Sequence, residues 1–292
     1  MPVGSPRGRR LRRAALSTAV SLFVVLGAQA FGAPGAAGAP EAASAAAAPP
    51  DGPAPAWLVA DLDSGRILGS RDPYGAHAPA STIKPLLAMV VMDQVNPAAA
   101  MRATAANTDV ECSCVGLVPG GVYTGRQLLD ALLMVSGNDA ANALADMVGG
   151  YQVAVQKMNL KAAQLGARST RAGSPSGLDG PGWESVTTPH DLAVIYRAAL
   201  HYPLFGQILH QSTAAFPDGK GGVKQIASHD RLLLSGYPGF VGGKTGYTNL
   251  ARETYVAVAQ RDGKWLIAVM MYGTDELWDQ GRALLDWGFR VG

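Results

Sequence analysis

Two pairs of strand-like runs stand at opposite ends of the ordered part of this chain, and they constrain its fold more than anything between them. Near the start, Trp57-Leu58-Val59-Ala60-Asp61-Leu62 reads as a strand, Asp63-Ser64-Gly65 as a turn and Arg66-Ile67-Leu68 as the returning strand. Near the end, Thr254 to Gln260 and Trp265 to Tyr272 flank Arg261-Asp262-Gly263, a hairpin signal. An isolated hairpin is marginal in water, so each pair needs further partners. Helical patterns fill the space between. Thr124 to Gln127 has the form of a capping box ahead of Leu128, Leu129, Leu132 and Leu133. Asn138 or Asp139 could cap a second helix through Leu144 and Met147, and a third runs from Val153 to Leu165 and stops at Gly166. Pro189 opens a fourth, and Leu277 to Phe289 reads as a closing amphipathic helix. The pattern predicts an antiparallel sheet built from both ends of the chain, with a helical lobe inserted: a mixed α/β fold of the α+β type.

The charge balance separates the first residues from the rest. Arg7, Arg9, Arg10, Arg12 and Arg13 precede any acid, and the net charge of +2 becomes −3 once those five are set aside. No basic stripe is left to suggest nucleic acid as a partner. An apolar stretch from Ala14 to Gly27 and the small residues Ala28-Gln29-Ala30 complete a signal-peptide pattern over residues 1–30. An exported, extracytoplasmic protein is expected; a signal left uncut would act as an anchor. Residues 31–55 are Ala, Gly and Pro with little else and read as a tether, leaving 56–292 as the folded domain. The chain stops at Gly292 with no apolar or amphipathic tail, so no C-terminal membrane anchor is expected.

The chemistry centres on Ser81-Thr82-Ile83-Lys84, at the start of an apolar run. Residues three apart on a helix share a face, so the Ser81 hydroxyl and the Lys84 amine can meet. A hydroxyl needs a base to become a nucleophile, and a lysine serves when burial or another cation lowers its pKa. Pro85 fits a first helical turn but biases Lys84 away from the α region, which predicts an irregular turn there. Farther on, Ser136-Gly137-Asn138 falls at a break between helices, and Gly242-Gly243-Lys244-Thr245-Gly246-Tyr247-Thr248 precedes a strand. Glycines around that Lys-Thr pair let another backbone come close, and a cation, a hydroxyl and a free N–H suit a carboxylate-ended extended peptide. A phosphate loop is excluded, because the Gly-spaced approach and the following helix are missing. Cys112 and Cys114 are one residue apart; a free pair and a strained disulfide both fit that spacing, and no zinc pattern does.

In this order, Ser-x-x-Lys, Ser-x-Asn and Lys-Thr-Gly resemble the motif set of penicillin-binding proteins and class A β-lactamases. The flanks resemble one branch, the low-molecular-mass D-alanyl-D-alanine carboxypeptidases: Leu133-Met134-Val135 before Ser136, Tyr237-Pro238-Gly239, and Leu284-Leu285-Asp286-Trp287-Gly288-Phe289. The resemblance implies the serine β-lactamase/DD-peptidase-like fold and a serine-type carboxypeptidase that removes the terminal D-alanine from peptidoglycan stem peptides ending in D-Ala-D-Ala. It implies β-lactam antibiotics as covalent inhibitors, and neither metal nor organic cofactor. By the same resemblance, Ser81 attacks, Lys84 takes its proton, and Ser136 relays a proton to the departing D-alanine. Asn138 holds the substrate amide and orients Lys84, while Lys244 and Thr245 bind the terminal carboxylate. The backbone N–H groups of Ser81 and Tyr247, beside Gly246, form the oxyanion hole. A DD-endopeptidase on crosslinked peptides and a β-lactamase are the alternatives. Arg252-Glu253 departs from the Gly-Tyr often found in relatives; Arg252 reads either as a contact for the substrate carboxylate or as a surface charge. Glu184 and the histidines, His190 and His229 among them, read as bystanders.

Overall fold

The computed structural model describes residues 48–292. Its elements in chain order are β1 (Ala56–Asp61), β2 (Ile67–Arg71), a 3-10 helix (Ala80–Ile83), α1 (Lys84–Gln94), β3 (Ala100–Arg102), α2 (Ala105–Thr108), β4 (Val122–Thr124), α3 (Gly125–Met134), α4 (Asn138–Met147) and α5 (Tyr151–Leu165). There follow α6 (Pro189–Ala199), α7 (Pro203–Leu209), β5 (Thr213–Pro217), β6 (Val223–Ala227), α8 (Arg231–Leu234), β7 (Phe240–Thr248), β8 (Arg252–Arg261), β9 (Lys264–Gly273) and α9 (Trp278–Val291). The main sheet has the order β2-β1-β9-β8-β7 and is antiparallel throughout. Both terminal hairpins are therefore present and are joined through β1 and β9, whose register runs from Ala56↔Met271 to Asp61↔Leu266. The signal-peptide reading of residues 1–30 and most of the tether lie outside the described residues.

Alternation explains how the sheet is covered. Leu58, Val256, Val258, Ile267 and Val269 face a core shared with α1, α3 and α6. Their neighbours Val59, Ala257, Ala259, Leu266, Ala268 and Met270 face a second core built with Leu284, Leu285 and Trp287 of α9. Apolar residues on both faces make β8 and β9 near-continuous apolar runs. The second core also takes Ala54, fully buried, whose backbone N–H donates to Gln280 Oε1 at 2.8 Å. The packed chain thus begins inside the stretch that composition assigned to the tether.

The helix signals were read with mixed success. Thr124 caps α3 in a reciprocal box with Gln127, and Thr188 caps α6 ahead of Pro189. Neither Asn138 nor Asp139 caps α4: the N-cap is Gly137, and the Asp139 carboxylate is drawn into the loop before β4 instead. Lys84 keeps α-region angles (φ −54°, ψ −28°) despite Pro85, and the irregularity falls one residue earlier, in the 3-10 turn. Among the described residues no helix is long and apolar enough to cross a membrane.

Edge strand β7 is fastened to the Ser81 turn by Thr254 of β8. Its hydroxyl lies 3.0 Å from both Pro79 O and Gly246 O and is fully buried. Thr254→Val keeps the shape and removes that donor. It should cost ~1–2 kcal/mol, read as a lower urea midpoint at unchanged slope, and slow active-site acylation as well; an unchanged midpoint would show that the link is not structural.

Candidate active site

Ser81 lies in the 3-10 turn and Lys84 opens α1. In a 3-10 helix residues i and i+3 eclipse, so the two side chains are stacked more directly than in an α-turn. Lys84 Nζ lies 2.7 Å from Ser81 Oγ. It also donates to Ser136 O at 2.8 Å and Asn138 Oδ1 at 2.7 Å, and stands 3.1 Å from Ser136 Oγ. The amine exposes 0% of its surface, and no carboxylate touches it. Burial, first, and the Lys244 cation, second, hold its pKa well below the ordinary lysine value; the negative Asp139 works in the other direction.

Ser136 sits at the break between α3 and α4 with φ +61°, a left-handed conformation that costs a non-glycine residue about 1 kcal/mol or more. That turn aims both its carbonyl and its hydroxyl at Lys84. Asn138, next but one, has both ends of its amide engaged. Oδ1 accepts from Lys84 and Nδ2 donates to Glu111 O at 2.7 Å. Nδ2 carries two hydrogens, so holding a substrate amide carbonyl, the role implied by resemblance, does not require it to leave Glu111.

The third motif comes from the edge strand. A Cβ on Gly246 would fall 2.6 Å from Ser81 N, so only glycine lets β7 approach the nucleophile turn this closely. Gly177, at φ +85°, does the same on the other side, where a Cβ would lie 2.0 Å from Ala80 O. Ser81 N–H falls in the first turn of its helix, where no intrahelical acceptor exists. Tyr247 continues the edge strand with its ring 55% exposed. Lys244 is buried and donates to Thr245 O at 2.6 Å. Burial lowers its pKa to about 7 against the opposing pull of Asp230. Asp230 itself is pushed up to about 6 by burial, although it accepts from Leu232 N, Leu233 N and Tyr255 Oη. Near neutrality the Lys244 cation is therefore only partly formed, which the sequence reading, with its permanently charged lysine, did not anticipate.

These groups meet in a cleft of about 310 Å³ lined by Ser81, Ser136, Asn138, Thr245, Gly246 and Tyr247, with Lys84 beneath it. Seven further lining residues were not assigned to the site from the sequence: Glu111, Cys112, Ser113, Gly177, Leu178, His229 and Glu253. Arg252 is exposed and outside that lining; Glu184, also outside it, is partly exposed, and its carboxylate accepts from Gly182 N. Cys112 and Cys114 form a disulfide, which resolves the open alternative. No group of three or more His, Cys, Asp or Glu residues able to hold a metal occurs among the described residues.

The left-handed Ser136 separates stability from function. Ser136→Gly should be more stable than Ser136→Ala by about 1 kcal/mol, because only glycine accepts that φ freely. Both should lose most catalytic activity with the hydroxyl. Thermal melts of the two variants check this, and equal melting temperatures would mean that the turn carries no strain.

The comparisons agree with this geometry. A family model described as D-alanyl-D-alanine carboxypeptidase matches residues 43–275. The chain is 54% identical over 247 residues to D-alanyl-D-alanine carboxypeptidase DacB2 of Mycobacterium tuberculosis, covering 83% of this chain and 84% of that one. The crystal structure of D-alanyl-D-alanine carboxypeptidase from that organism superposes with a TM-score of 0.82 at 53% identity, over 85% of this chain and 96% of the other. The DD-transpeptidase of Streptomyces K15 gives 0.78 at 28% identity, over 84% and 100%. A buried lysine beside a serine, an edge strand carrying Lys-Thr-Gly, and this breadth of match leave one assignment: the chain belongs to the D-alanyl-D-alanine carboxypeptidase family of serine peptidases.

Proposed function

We propose that this protein is a serine-type carboxypeptidase that removes the terminal D-alanine from peptidoglycan stem peptides through an acyl-enzyme on Ser81. The observation that carries the reading is the 2.7 Å approach of Ser81 Oγ to a lysine amine stripped of water. Neutral Lys84 takes the Ser81 proton as Oγ attacks the carbonyl of the penultimate D-alanine. The developing oxyanion is met by the N–H groups of Ser81 and Tyr247, donors of a kind whose loss costs ~10²–10³ in rate. Ser136 Oγ, 3.1 Å from Lys84 Nζ, passes the proton to the departing amine. Lys244 and Thr245 hold the terminal carboxylate. Water then hydrolyses the ester. Every step uses side chains and backbone of this chain.

A fluorescent penicillin tests the assignment. Stable labelling of the wild type and none of Ser81→Ala supports it; rapid turnover of the drug indicates a β-lactamase, and an adduct on another serine rejects Ser81. Product analysis on a pentapeptide and on a crosslinked peptide separates carboxypeptidase from endopeptidase, since both cut after D-alanine. Export rests on the arginine-then-apolar start of the chain: N-terminal sequencing should find the mature protein beginning near Phe31. An intact Met1 terminus on membrane-bound protein would favour the uncut signal anchor.

The two lysines should separate by pH and by substrate. Lys84 acts neutral, so Lys84→Arg should abolish acylation, because a guanidinium keeps its proton. Lys244 acts charged, and its free-enzyme pKa of about 7 means that the charge is lost as pH rises through neutrality. For a carboxylate-ended peptide kcat/KM should therefore fall above about pH 7, whereas the corresponding amide should lack that limb. Lys244→Arg should keep part of the acylation and lose the alkaline limb. An alkaline limb of equal size on both substrates would contradict the role given to Lys244.

A further inference from the structure

The Cys112–Cys114 disulfide lies in the wall of the cleft, and none of the three motifs accounts for it. Its surroundings do. Asn138 is gripped by the two carbonyls on either side of Cys112: its backbone N–H donates to Ser113 O at 2.6 Å, and Nδ2 donates to Glu111 O at 2.7 Å. A carbonyl can only accept, so Glu111 O decides which end of the amide faces it and leaves Oδ1 on the Lys84 side. That choice reaches the nucleophile. A neutral amine has two N–H groups and one lone pair. Ser136 O and Asn138 Oδ1 can only accept, and at 2.8 and 2.7 Å they take both N–H groups. The lone pair is left for a hydroxyl, and Ser81 Oγ at 2.7 Å is closer than Ser136 Oγ at 3.1 Å.

We propose that the Cys112–Cys114 crosslink is a positioning element for acylation. It closes residues 112–114 into a small ring, fixes the directions of the Glu111 and Ser113 carbonyls, sets the orientation of the Asn138 amide, and so aims the Lys84 lone pair at Ser81. The proposal rests on the reading of Ser81 as nucleophile and Lys84 as base. The loop is anchored independently on both sides. The Asp139 carboxylate accepts from Val115 N, Gly116 N and Leu117 N at 2.8 to 3.0 Å, and Asn107 of α2 donates to Asp146 of α4 at 2.7 Å. Opening the ring therefore releases residues 111–114 without releasing the rest of the loop.

The test is reversible reduction of the intact protein. Dithiothreitol delivers two electrons and two protons by thiol–disulfide exchange, giving the Cys112 and Cys114 thiols and the oxidised cyclic reagent. Acylation by a fluorescent penicillin should slow about tenfold, the scale of one misdirected hydrogen bond, with little change in melting temperature. Oxidised glutathione should restore the rate in the same sample. Cys112→Ser combined with Cys114→Ser should match the reduced enzyme and ignore the oxidant. In an Asn138→Ala background, already slow, reduction should change nothing further, because the ring acts through that amide. Rates within twofold before and after reduction, with both thiols confirmed by mass, overturn the proposal. So does an undiminished effect of reduction in Asn138→Ala, which would mark the disulfide as merely structural. Absence of any labelling in the oxidised protein removes the nucleophile assignment itself, and the proposal with it.

Discussion

Everything in this site depends on a primary amine kept out of water. In the proposed mechanism desolvation is what makes Lys84 a base, and it is tolerable only because both hydrogens of the neutral amine have acceptors, the Ser136 carbonyl and the Asn138 amide oxygen, while its lone pair faces the Ser81 hydroxyl. Those acceptors come from the break between α3 and α4, and the hydroxyl facing the amine comes from the 3-10 turn. The left-handed Ser136, the glycine at 246 and the fully buried Thr254 are all consequences of the same requirement.

Lys244 is a second buried amine, to which the proposed mechanism gives the opposite duty. Lys244 lowers the affinity of Lys84 for its proton in the free protein, and burial is the dominant cause for both lysines. A substrate carboxylate arriving beside Lys244 favours its charged form, and that charge in turn disfavours a proton on Lys84. In this reading, binding the correct end of the peptide also readies the base.

Much of this was legible in the sequence. Strand pairs at both ends announced the sheet, because apolar runs with turn residues between them have few other solutions. The three motifs named the polar groups of the cleft because each uses a side chain with specific chemistry. What was not legible falls into two kinds. Backbone acceptors leave no residue signature: Glu111 and Ser113 act through carbonyls that any residue would supply, so the 111–114 loop was visible only as an unexplained cysteine pair. Burial of a charge is a tertiary property, so nothing local to Lys244 told that its proton would be loosely held. Asp139 illustrates a competition: its short carboxylate suited a helix cap, but three loop amides offered it more hydrogen bonds. Arg252 carried the ambiguity of any charge beside a motif; it stands exposed and outside the cleft lining.

The pairing of β1 with β9 carries a consequence for how the protein comes into being. Residues 56–61 find their partners at 266–271, so the main sheet cannot close until nearly the whole chain has been made. Contacts of such sequence separation form late, after the entropy of a long loop has been overcome. The cleft at Ser81 takes Thr245, Gly246 and Tyr247 from β7, and β7 is paired to β8 and, through it, to β9. A partly synthesised chain therefore carries the serine and the lysine with ordinary, solvated chemistry. On the proposed mechanism, Ser81 becomes reactive only when the last strands have docked.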